Sequence, residues 1–375
     1  MACISKVLMV GGGIAGLSTA IALSRAGVQC DVVDLTNSVG GASIGISGRA
    51  ADALGELGVY DECFASGAPW PRDSTVASQR DAAGQLMSAG PPRPDWPGSK
   101  MALGVYRSEL LKTLADAARQ SGATIRVGMT VMAIDEQPNH ARVSFNDGTQ
   151  ADYDLVVGAD GINSVVRSLV FTDAPRPAYS GQFSVRWMVE GSPVDGESWY
   201  TSPLGRLGFY NLPGNVTYVA AVFNMPEFRW MEKAEVHALF AGLLDSFTAP
   251  AVVELRSRLT LNADLIGRPF EWLLVPDRWY RGRTLLIGDA AHATTAHLGM
   301  GGGMALEDAV VLGQCVDRSS SLEDALAVFM ERRYTRVRTV VETSLALSRI
   351  EQRGAPRSEA VGLMKTALAT ISESY

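Results

Sequence analysis

Residues 6–34 read KVLMVGGGIAGLSTAIALSRAGVQCDVVD, and this stretch decides the fold of the amino-terminal part. The apolar run Lys6 to Val10 predicts a buried strand, and Ile14 to Ala26 has the pattern of a helix that ends at a glycine. Val28 to Val33 predicts the next strand, with Asp34 at its end. A strand, a helix and a second strand in this order indicate a βαβ unit, and therefore an α/β domain with a parallel sheet.

The loop between the first strand and the helix carries a glycine pattern, Gly11-x-Gly13-x-x-Gly16. Glycines at these positions allow a tight turn and a close backbone approach, while the start of the helix offers free N–H groups to a pyrophosphate. Asp34 is placed to accept hydrogen bonds from a ribose hydroxyl. The pattern predicts a dinucleotide site formed by Gly11, Gly13, Ala15, Gly16 and Asp34, but by itself it does not separate NAD from FAD.

Composition and charge argue against several classes of protein. The chain has 375 residues, 47% of them hydrophobic, which is enough for two cores or for one large domain with an insert. A formal net charge of −7 argues against a nucleic-acid partner. No apolar run reaches the ~20 residues needed to span a membrane. The glycines near the amino terminus also break the apolar run that a signal peptide requires.

The four cysteines are scattered along the chain and form no Cys-x-x-Cys pair. No cluster of histidines lies near them in the sequence. This usage predicts a reduced, cytoplasmic protein rather than a disulfide or zinc framework, so we expect no metal site.

The hydrophobic period changes from about residue 179 onward. Phe183, Val185 and Trp187 alternate with Ser184 and Arg186, which is the pattern of a strand with one buried face. A similar alternation follows between residues 206 and 223, and the carboxyl-terminal part has a helical pattern from residue 322 to about 350. The expected fold is a Rossmann-like α/β domain with an inserted antiparallel β-sheet domain and C-terminal helices.

Two later segments narrow the function. Residues 154–164 read DLVVGADGINS, and residues 282–303 read GRTLLIGDAAHATTAHLGMGGG. They resemble the Asp-Gly and Gly-Asp motifs of the class A flavoprotein monooxygenases, the family of p-hydroxybenzoate hydroxylase. The segment YRSEL at 106–110 is similar to the family's phosphate-contacting helix start. Three motifs in the family's order make the resemblance specific, and it covers essentially the whole chain.

The resemblance implies that the dinucleotide is FAD and indicates the residues that hold it. Asp160 lies in the segment that touches both FAD and the nicotinamide cofactor, and Asp289 would hold the ribityl chain or the pyrophosphate side. Arg107 would contact a FAD phosphate, and the backbone of Val131 the adenine. A helix that starts after the glycines would direct its N-terminus at the flavin, where it stabilises negative charge. The contacts implied by these motifs are Arg107, Val131, Asp160, Asp289, Gly301 and Gly302.

We expect the chain to be divided into a discontinuous FAD-binding domain, a sheet domain that binds the substrate, and a helical end. The FAD-binding domain would comprise residues 1–70, 100–175 and 275–318. The sheet domain would comprise residues 71–99 and 176–274, and the helical segment residues 319–375. Within the first domain, Thr124 to Ile134 is expected to form a single strand.

The resemblance also implies a reaction. In the family, NADH or NADPH reduces FAD, O₂ adds to give a flavin hydroperoxide, and its distal oxygen passes to an electron-rich ring carbon. This implies a monooxygenase that hydroxylates a compact aromatic or heteroaromatic substrate, as a monomer or homodimer without a nucleic-acid or membrane partner. An oxidase or halogenase on the same fold, and a non-catalytic FAD-binding redox sensor, stay open as alternatives. The Trp-x-Trp-x-Ile-Pro signature of the halogenases is absent from the sequence.

Residues of the inserted sheet and of the flavin loop are the candidates for catalysis. Arg206 and Tyr210 share one face of a strand by period two, and Arg186 lies on a neighbouring strand. His297 stands beside the flavin loop, whereas His292 is expected to be structural because the flavin carries the oxygen chemistry. As a group, Arg206, Tyr210 and Arg186 predict a pocket with one cation and a phenol, suited to a phenolate, a carboxylate or a lactam, and His297 is a further catalytic candidate that could face the substrate. Each of them alone could instead be a solvated residue.

The flavin loop departs from the family at two positions. Ala296 stands where the family usually has a proline, and Met300 where a glutamine is common. Loss of the proline removes rigidity beside the flavin but keeps the backbone carbonyl, which does not exclude the family's chemistry.

Overall fold

The computed structural model describes residues 2–36, 42–71, 78–89, 95–191, 193–194, 197–355 and 358–375. Within these ranges the strands are β1 (Lys6–Val10), β2 (Gln29–Asp34), β3 (Ser43–Ile46), β4 (Ala68–Pro69), β5 (Ser78–Arg80), β6 (Leu86–Ser88), β7 (Leu103–Tyr106), β8 (Thr124–Val127), β9 (Val131–Glu136), β10 (Ala141–Phe145), β11 (Gln150–Tyr153), β12 (Leu155–Gly158), β13 (Ala178–Glu190), β14 (Ser198–Ser202), β15 (Gly205–Leu212), β16 (Val216–Asn224), β17 (Ile266–Trp272), β18 (Tyr280–Arg281) and β19 (Thr284–Leu286). The helices are α1 (Ile14–Arg25), α2 (Arg49–Glu56), α3 (Tyr60–Ser66), α4 (Arg107–Gln120), α5 (Val165–Val170), α6 (Lys233–Asp245), α7 (Pro250–Arg258), α8 (Asp289–His292), α9 (Gly301–Arg318), α10 (Leu322–Gln352) and α11 (Ser358–Ser372).

The βαβ unit predicted at the amino terminus is confirmed. Strand β1 lies inside a six-stranded sheet with the order β18-β19-β12-β1-β2-β8. Its neighbours are parallel, and only β18 runs antiparallel to its partner β19. Val10 of β1 pairs with Gly158 of β12 in parallel register, so the two loops that follow these strands meet at one edge of the sheet.

The predicted antiparallel insert forms a second sheet with the order β17-β13-β16-β15-β14-β5-β6. Phe183, Val185 and Trp187 of β13 are buried on one face, as their alternation predicts. They form a second hydrophobic core with side chains of α6, among them Phe240 and Leu243. The opposite face is therefore left for the cavity described below.

Helices α6 and α7 of the inserted region are not indicated by the alternation. Helix α6 begins at a capping box in which Glu232 and Glu235 each accept a hydrogen bond from the other's backbone N–H. Helix α7 has Pro250 in its first turn, where a missing N–H costs nothing. These start signals are present in the sequence, but the helices are short and depend on burial against the sheet.

The prediction of one strand from Thr124 to Ile134 is wrong. Strand β8 joins the six-stranded sheet, whereas β9 pairs with β10 in a separate sheet with the order β11-β10-β9. Gly128 lies between the two strands with a φ of +82°, a conformation that ends an extended strand. The break places Val131 at the start of β9.

The carboxyl-terminal part is helical, as predicted. Helix α10 covers the expected range, and α11 packs against it. The last turn of α10 brings Leu347, Ile350 and Glu351 to the cavity, and α11 brings Met364 and Leu368 to the same place. Among the described helices, none has the length and apolar character needed to cross a membrane.

Candidate active site

A cavity of about 1170 Å³ lies between the loops that follow strands of the six-stranded sheet and one face of the seven-stranded sheet. The residues predicted to bind FAD that line it are Gly13, Ala15, Arg107, Asp289, Gly301 and Gly302. The predicted catalytic residues that line it are Arg206, Tyr210 and His297. The other predicted FAD contacts are not on its wall, namely Gly11, Gly16, Asp34, Val131 and Asp160. The structure thus brings together the cofactor and substrate motifs, although they are far apart in the sequence.

The three glycines of the first loop have different roles. A side chain at Gly11 would place its Cβ 2.3 Å from the carbonyl oxygen of Ala159, and one at Gly16 would place it 1.9 Å from that of Gly11. These two glycines are therefore required by the packing of the loop. A Cβ at Gly13 would instead meet no atom within 4 Å and would point into the cavity, which leaves room for a pyrophosphate.

Asp34 holds the glycine loop in place. Its Oδ2 accepts a hydrogen bond of 2.6 Å from the backbone N–H of Gly12, and its Oδ1 accepts one of 2.8 Å from Thr36. The carboxylate lies behind the cavity wall that the loop forms. Its predicted contact with a ribose hydroxyl stays a prediction.

Asp289 faces the cavity from the start of α8, opposite Arg107 at the start of α4. Asp289 is exposed to the cavity, and among the described residues none donates a hydrogen bond to its carboxylate. The protein atoms packed around the cavity desolvate the carboxylate and raise the pKa of Asp289, while His292 and Arg107 act in the opposite direction. A carboxylate without a donor, beside an arginine, fits the hydroxyl groups and phosphates of FAD.

Helix α9 begins at Gly301 and points its N-terminus into the same cavity. Its first N–H groups have no partners within the helix and attract negative charge. A side chain at Gly302 would place its Cβ 2.4 Å from Cδ1 of Ile44, so the close packing of α9 against β3 requires this glycine. The predicted direction of this helix is therefore present in the structure.

Asp160 is engaged at the start of α5. Its Oδ2 accepts hydrogen bonds of 2.7 and 3.1 Å from the backbone N–H groups of Val165 and Val166, and its Oδ1 accepts one from the Ser164 hydroxyl. The neighbouring Gly161 lines the cavity, whereas Asp160 does not. The carboxylate therefore stabilises the motif as a helix-capping group. Direct contact of Asp160 with a cofactor stays a prediction, as does that of the buried Val131.

The substrate side of the cavity is one face of the seven-stranded sheet. Arg206 and Tyr210 lie on the same side of β15, as period two predicts, and pair in register with Val222 and Tyr218 of β16. Arg186 of β13 lies on this face too and lines the cavity. The side chains of three neighbouring strands therefore form one continuous wall.

Four rings form what we call the aromatic wall: Trp70, Trp199, Tyr210 and Tyr218. The ring centre of Tyr210 lies 6.3 Å from that of Trp70, 6.2 Å from that of Trp199 and 5.9 Å from that of Tyr218. A side chain at Gly208 would place its Cβ 2.8 Å from the Trp199 ring, so this glycine makes room for the indole. Burial and the nearby Glu197 raise the pKa of Tyr210, which keeps its hydroxyl protonated.

Glu351 is the site residue that the sequence analysis missed. Its Oε1 lies 2.8 Å from Nη1 of Arg206, and its Oε2 lies 3.2 Å from Nε2 of His297 and accepts a hydrogen bond of 3.3 Å from Gln182. Burial acts to raise the pKa of Glu351, but Arg206 and His297 outweigh it and hold the pKa below its usual value. No local motif marks a single glutamate on a long polar helix, so only the tertiary structure reveals it.

His297 therefore acts within the cluster of Arg206, Glu351 and His297. Its Nδ1 lies 2.8 Å from the Thr295 hydroxyl, and its side chain is only 2% exposed. Both ring nitrogens are occupied by protein partners. An influence of His297 on a substrate would pass through Glu351.

Comparison with known proteins agrees with this geometry. Residues 5–344 match the model of the FAD binding domain family. The chain belongs to this family. It is 32% identical over 367 residues to the 2-heptyl-3-hydroxy-4(1H)-quinolone synthase of Pseudomonas aeruginosa (strain UCBPP-PA14), covering 94% of this chain and 91% of the relative. It is 30% identical over 353 residues to an FAD-dependent urate hydroxylase of Klebsiella pneumoniae, covering 90% and 88%.

A solved structure supports the fold. The crystal structure of Klebsiella pneumoniae HpxO, complexed with FAD and uric acid, superposes with a TM-score of 0.81 and 24% identity over 98% of this chain and 97% of that one. The predicted resemblance to the class A flavoprotein monooxygenases is confirmed, and with it the prediction of FAD as cofactor. This flavoprotein is an FAD-dependent monooxygenase.

A buried ionic network in the flavoprotein joins α8, α9 and α10 beside the flavin loop. Nε2 of His292 lies 2.6 Å from Oδ2 of Asp308, which also accepts a hydrogen bond from the backbone of Gly288. Arg333 of α10 donates a hydrogen bond of 2.8 Å to Oδ1 of the same aspartate. Burial acts to raise the pKa of Asp308, but His292 and Arg333 lower it to about 2. His292 thus holds α8 against α9, which agrees with its expected structural role.

Proposed function

We propose that this flavoprotein uses NADH or NADPH and O₂ to hydroxylate a compact, electron-rich aromatic or heteroaromatic compound in the cavity between its two sheets. One observation carries the proposal: the FAD motifs and the aromatic wall open into the same cavity. Bound FAD supplies the redox chemistry of reduction and oxygen transfer. The chain supplies the binding, the orientation and the exclusion of water.

On the cofactor side, the residues are suited to a long, charged and hydroxyl-rich molecule. The space at Gly13 and the N-terminus of α1 accept the pyrophosphate, and Arg107 balances its charge. Asp289 accepts hydrogen bonds from hydroxyl groups of the FAD chain. The N-terminus of α9 stabilises negative charge that develops on the flavin ring, by about 1 kcal/mol where water is excluded.

On the substrate side, the aromatic wall stacks against a flat ring, and Tyr210 and Arg206 fix its direction through hydrogen bonds. Donors at the substrate's oxygen stabilise the form of the ring in which negative charge develops on that oxygen, and this form has the higher electron density at the reacting carbon. Glu351 and His297 hold Arg206 from behind. These assignments support Arg206 and Tyr210 as catalytic residues and His297, which we predicted to be catalytic, as a positioning residue that acts through Glu351.

The test is oxygen uptake by the purified, FAD-loaded protein with NADH or NADPH and a panel of aromatic compounds. The expected result is NAD(P)H oxidation that a substrate accelerates, together with a product that contains one additional oxygen atom. An oxidase would reduce O₂ to hydrogen peroxide and dehydrogenate the compound instead. A halogenase would require halide, and a redox sensor would show no substrate-dependent turnover.

We further propose that the protein works in the cytoplasm as a monomer or homodimer, with a small aromatic substrate as its partner. The support is chemical: the four cysteines are free thiols in the structure, and Cys30, Cys63 and Cys315 are buried. Burial raises the pKa of Cys30 to about 11, which makes it unreactive toward oxidation. Cell fractionation tests the cytoplasmic location, and light scattering of the FAD-loaded protein tests whether it is a monomer or a homodimer.

A further inference from the structure

Most of the charged side chains on the substrate side of the cavity have a protein partner of opposite sign. Among the described lining residues of 182–224 and 347–355, the cations are Arg186, Arg206 and Arg353 and the anions are Glu197 and Glu351; Arg353 also forms an ion pair with Glu359. A pocket built to capture a carboxylate would have an excess of positive charge near the place where the ring lies. The balance here indicates a different kind of ligand.

Arg206 in particular has its charge balanced by the protein. Its side chain is 24% exposed and that of Glu351 is 23% exposed, so the ion pair between them is largely removed from water. The guanidinium also lies over the Trp199 ring, with 4.4 Å between Cζ and the ring centre. Ion pairing and stacking together fix its position before any ligand binds.

Glu351 is itself held from two other sides. His297 comes from the flavin loop, and Gln182 comes from β13, where its Oε1 accepts a hydrogen bond of 2.6 Å from the Ser348 hydroxyl of α10. A substrate carboxylate could reach Arg206 only by breaking this arrangement or by lying beside a second carboxylate. Either event costs free energy, because like charges repel and a displaced buried ion must be rehydrated or paired again.

We propose that Glu351 is a positioning residue that makes the pocket select a ligand with an uncharged oxygen, that of a lactam, an enol or a neutral phenol, over a carboxylate. A guanidinium has five N–H donors, and the ion pair with Glu351 uses Nη1. Arg206 therefore acts on the substrate as a hydrogen-bond donor whose charge is already balanced. This inference rests on the proposed function, because it narrows the substrate class of the same site.

The test compares two probes of nearly equal shape, 4-hydroxyquinoline-2-carboxamide and 4-hydroxyquinoline-2-carboxylate. Their dissociation constants are measured from the change in flavin absorbance of the FAD-loaded protein, in the absence of NAD(P)H. Because no turnover is needed, the result is separate from the test of hydroxylation. The ratio of the two constants reports the charge preference of the pocket and is insensitive to a general loss of packing.

We expect the wild-type protein to bind the carboxamide more tightly. Glu351→Gln should shift the ratio toward the carboxylate by about tenfold, since it leaves Arg206 without its counterion. Arg206→Gln should shift the ratio in the opposite direction, and the double variant Glu351→Gln/Arg206→Gln should return it close to the wild-type value. Asp152→Asn is the matched control, because Asp152 pairs with Arg142 at an exposed position outside the cavity.

Several outcomes would overturn the inference. The first is a wild-type protein that binds the carboxylate more tightly, which would assign the binding of the anion to Arg186. The second is a wild-type protein that binds neither probe. The third is a set of FAD-loaded variants in which the ratio of the two dissociation constants does not change. If the charge preference fails while substrate-stimulated hydroxylation is observed, only this inference is lost. If the preference holds and no compound is hydroxylated, the proposed function is the part that fails.

Discussion

Nη1 of Arg206 on β15 lies 2.8 Å from Oε1 of Glu351 on α10. This ion pair joins the inserted sheet to the carboxyl-terminal helix, and His297 extends it to the flavin loop at 3.2 Å. The wall that we propose covers the substrate is therefore joined to the carboxyl-terminal helix and to the flavin loop. A change at any of the three residues should alter how a substrate is held while leaving the cofactor site intact.

Arg206→Ala should retain FAD but lose substrate-stimulated NAD(P)H turnover, because the donor to the substrate's oxygen is removed and Glu351 loses its arginine partner. The loss should be about tenfold in kcat/KM for each 1.4 kcal/mol of transition-state stabilisation removed. Arg206→Lys should restore little, since a lysine neither stacks on Trp199 nor offers the same donors. Steady-state kinetics with product analysis provide the measurement, and Arg142→Ala is the control. Wild-type kcat/KM in Arg206→Ala would show that the residue does not contact the substrate.

Asp289→Ala should weaken FAD binding by about 1–3 kcal/mol, the usual cost of losing a charged hydrogen-bond partner. The measurement is the FAD dissociation constant of the refilled apoprotein, by quenching of flavin fluorescence. Asp116→Ala, at an exposed position on α4 beside Arg119, should leave the constant unchanged. An unaltered constant in a folded Asp289→Ala protein would refute the assignment.

Gly13→Ala should mainly weaken FAD binding, whereas Gly16→Ala should mainly destabilise the fold. A methyl group at Gly13 enters the space proposed for the pyrophosphate, so FAD affinity should fall at least about tenfold with little change in the stability of the apoprotein. At Gly16 the methyl group overlaps a backbone oxygen, so the fold itself should be destabilised. Urea denaturation and FAD titration of both variants separate the two effects. Equal behaviour of the two variants would contradict the distinction.

The FAD should be bound without a covalent link, since the described cavity wall has no cysteine and its histidine, His297, is occupied by Thr295 and Glu351. Acid precipitation of the purified yellow protein should release the chromophore into the supernatant. Absorbance at the flavin maximum in the two fractions is the measurement. Colour that stays with the precipitate would contradict the prediction.

Asp308 should make the stability of the protein depend on pH in the acid range. Its pKa falls from the ordinary 3.8 to about 2 on folding, so its ionised form stabilises the folded state above pH 3.8. That contribution should be lost as the pH falls through about 2. Asp308→Asn should therefore destabilise the FAD-loaded protein by about 3–5 kcal/mol at neutral pH, because it leaves Arg333 without one of its buried partners.

The measurement is urea denaturation of the wild-type protein and of Asp308→Asn, from pH 7 down to the most acidic pH at which the protein is folded. The difference between their free energies of unfolding should become smaller below pH 3.8. Asp116→Asn, in an exposed pair, is the control and should show a much smaller effect. A difference that is the same at every pH would assign the effect to packing rather than to charge.

Much of the cofactor side follows from the sequence, since local patterns with known geometry occur in order along the chain. The pattern from Gly11 to Gly16 with Asp34 predicts a strand, a turn and a helix start, and each of these is present. The glycines in the first turn of α9 likewise predict a helix N-terminus at the cavity. Such features depend on contacts between residues that are near each other in the sequence, so their geometry is constrained locally.

Other elements depend on long-range packing and are outside the reach of local patterns. The segment Thr124 to Ile134 has the composition of one strand, but its two halves join different sheets. Asp160 occupies the place of a motif residue, yet its carboxylate is used to cap α5. For the strand, the competing partners come from tertiary structure, which propensity and spacing do not describe, whereas the partners of Asp160 lie four to six residues further along the chain.

By itself the sequence determined the α/β fold, the FAD cofactor and the face of β15 that carries Arg206 and Tyr210, because motif order, glycine geometry and period two are properties of the chain. Only the tertiary structure decided what stands beside these residues. Glu351 reaches Arg206 and His297 because α10 packs across the end of the inserted sheet, a contact between distant segments that no local pattern encodes. The charge balance in the pocket, on which the proposed class of substrate rests, is a property of that packing.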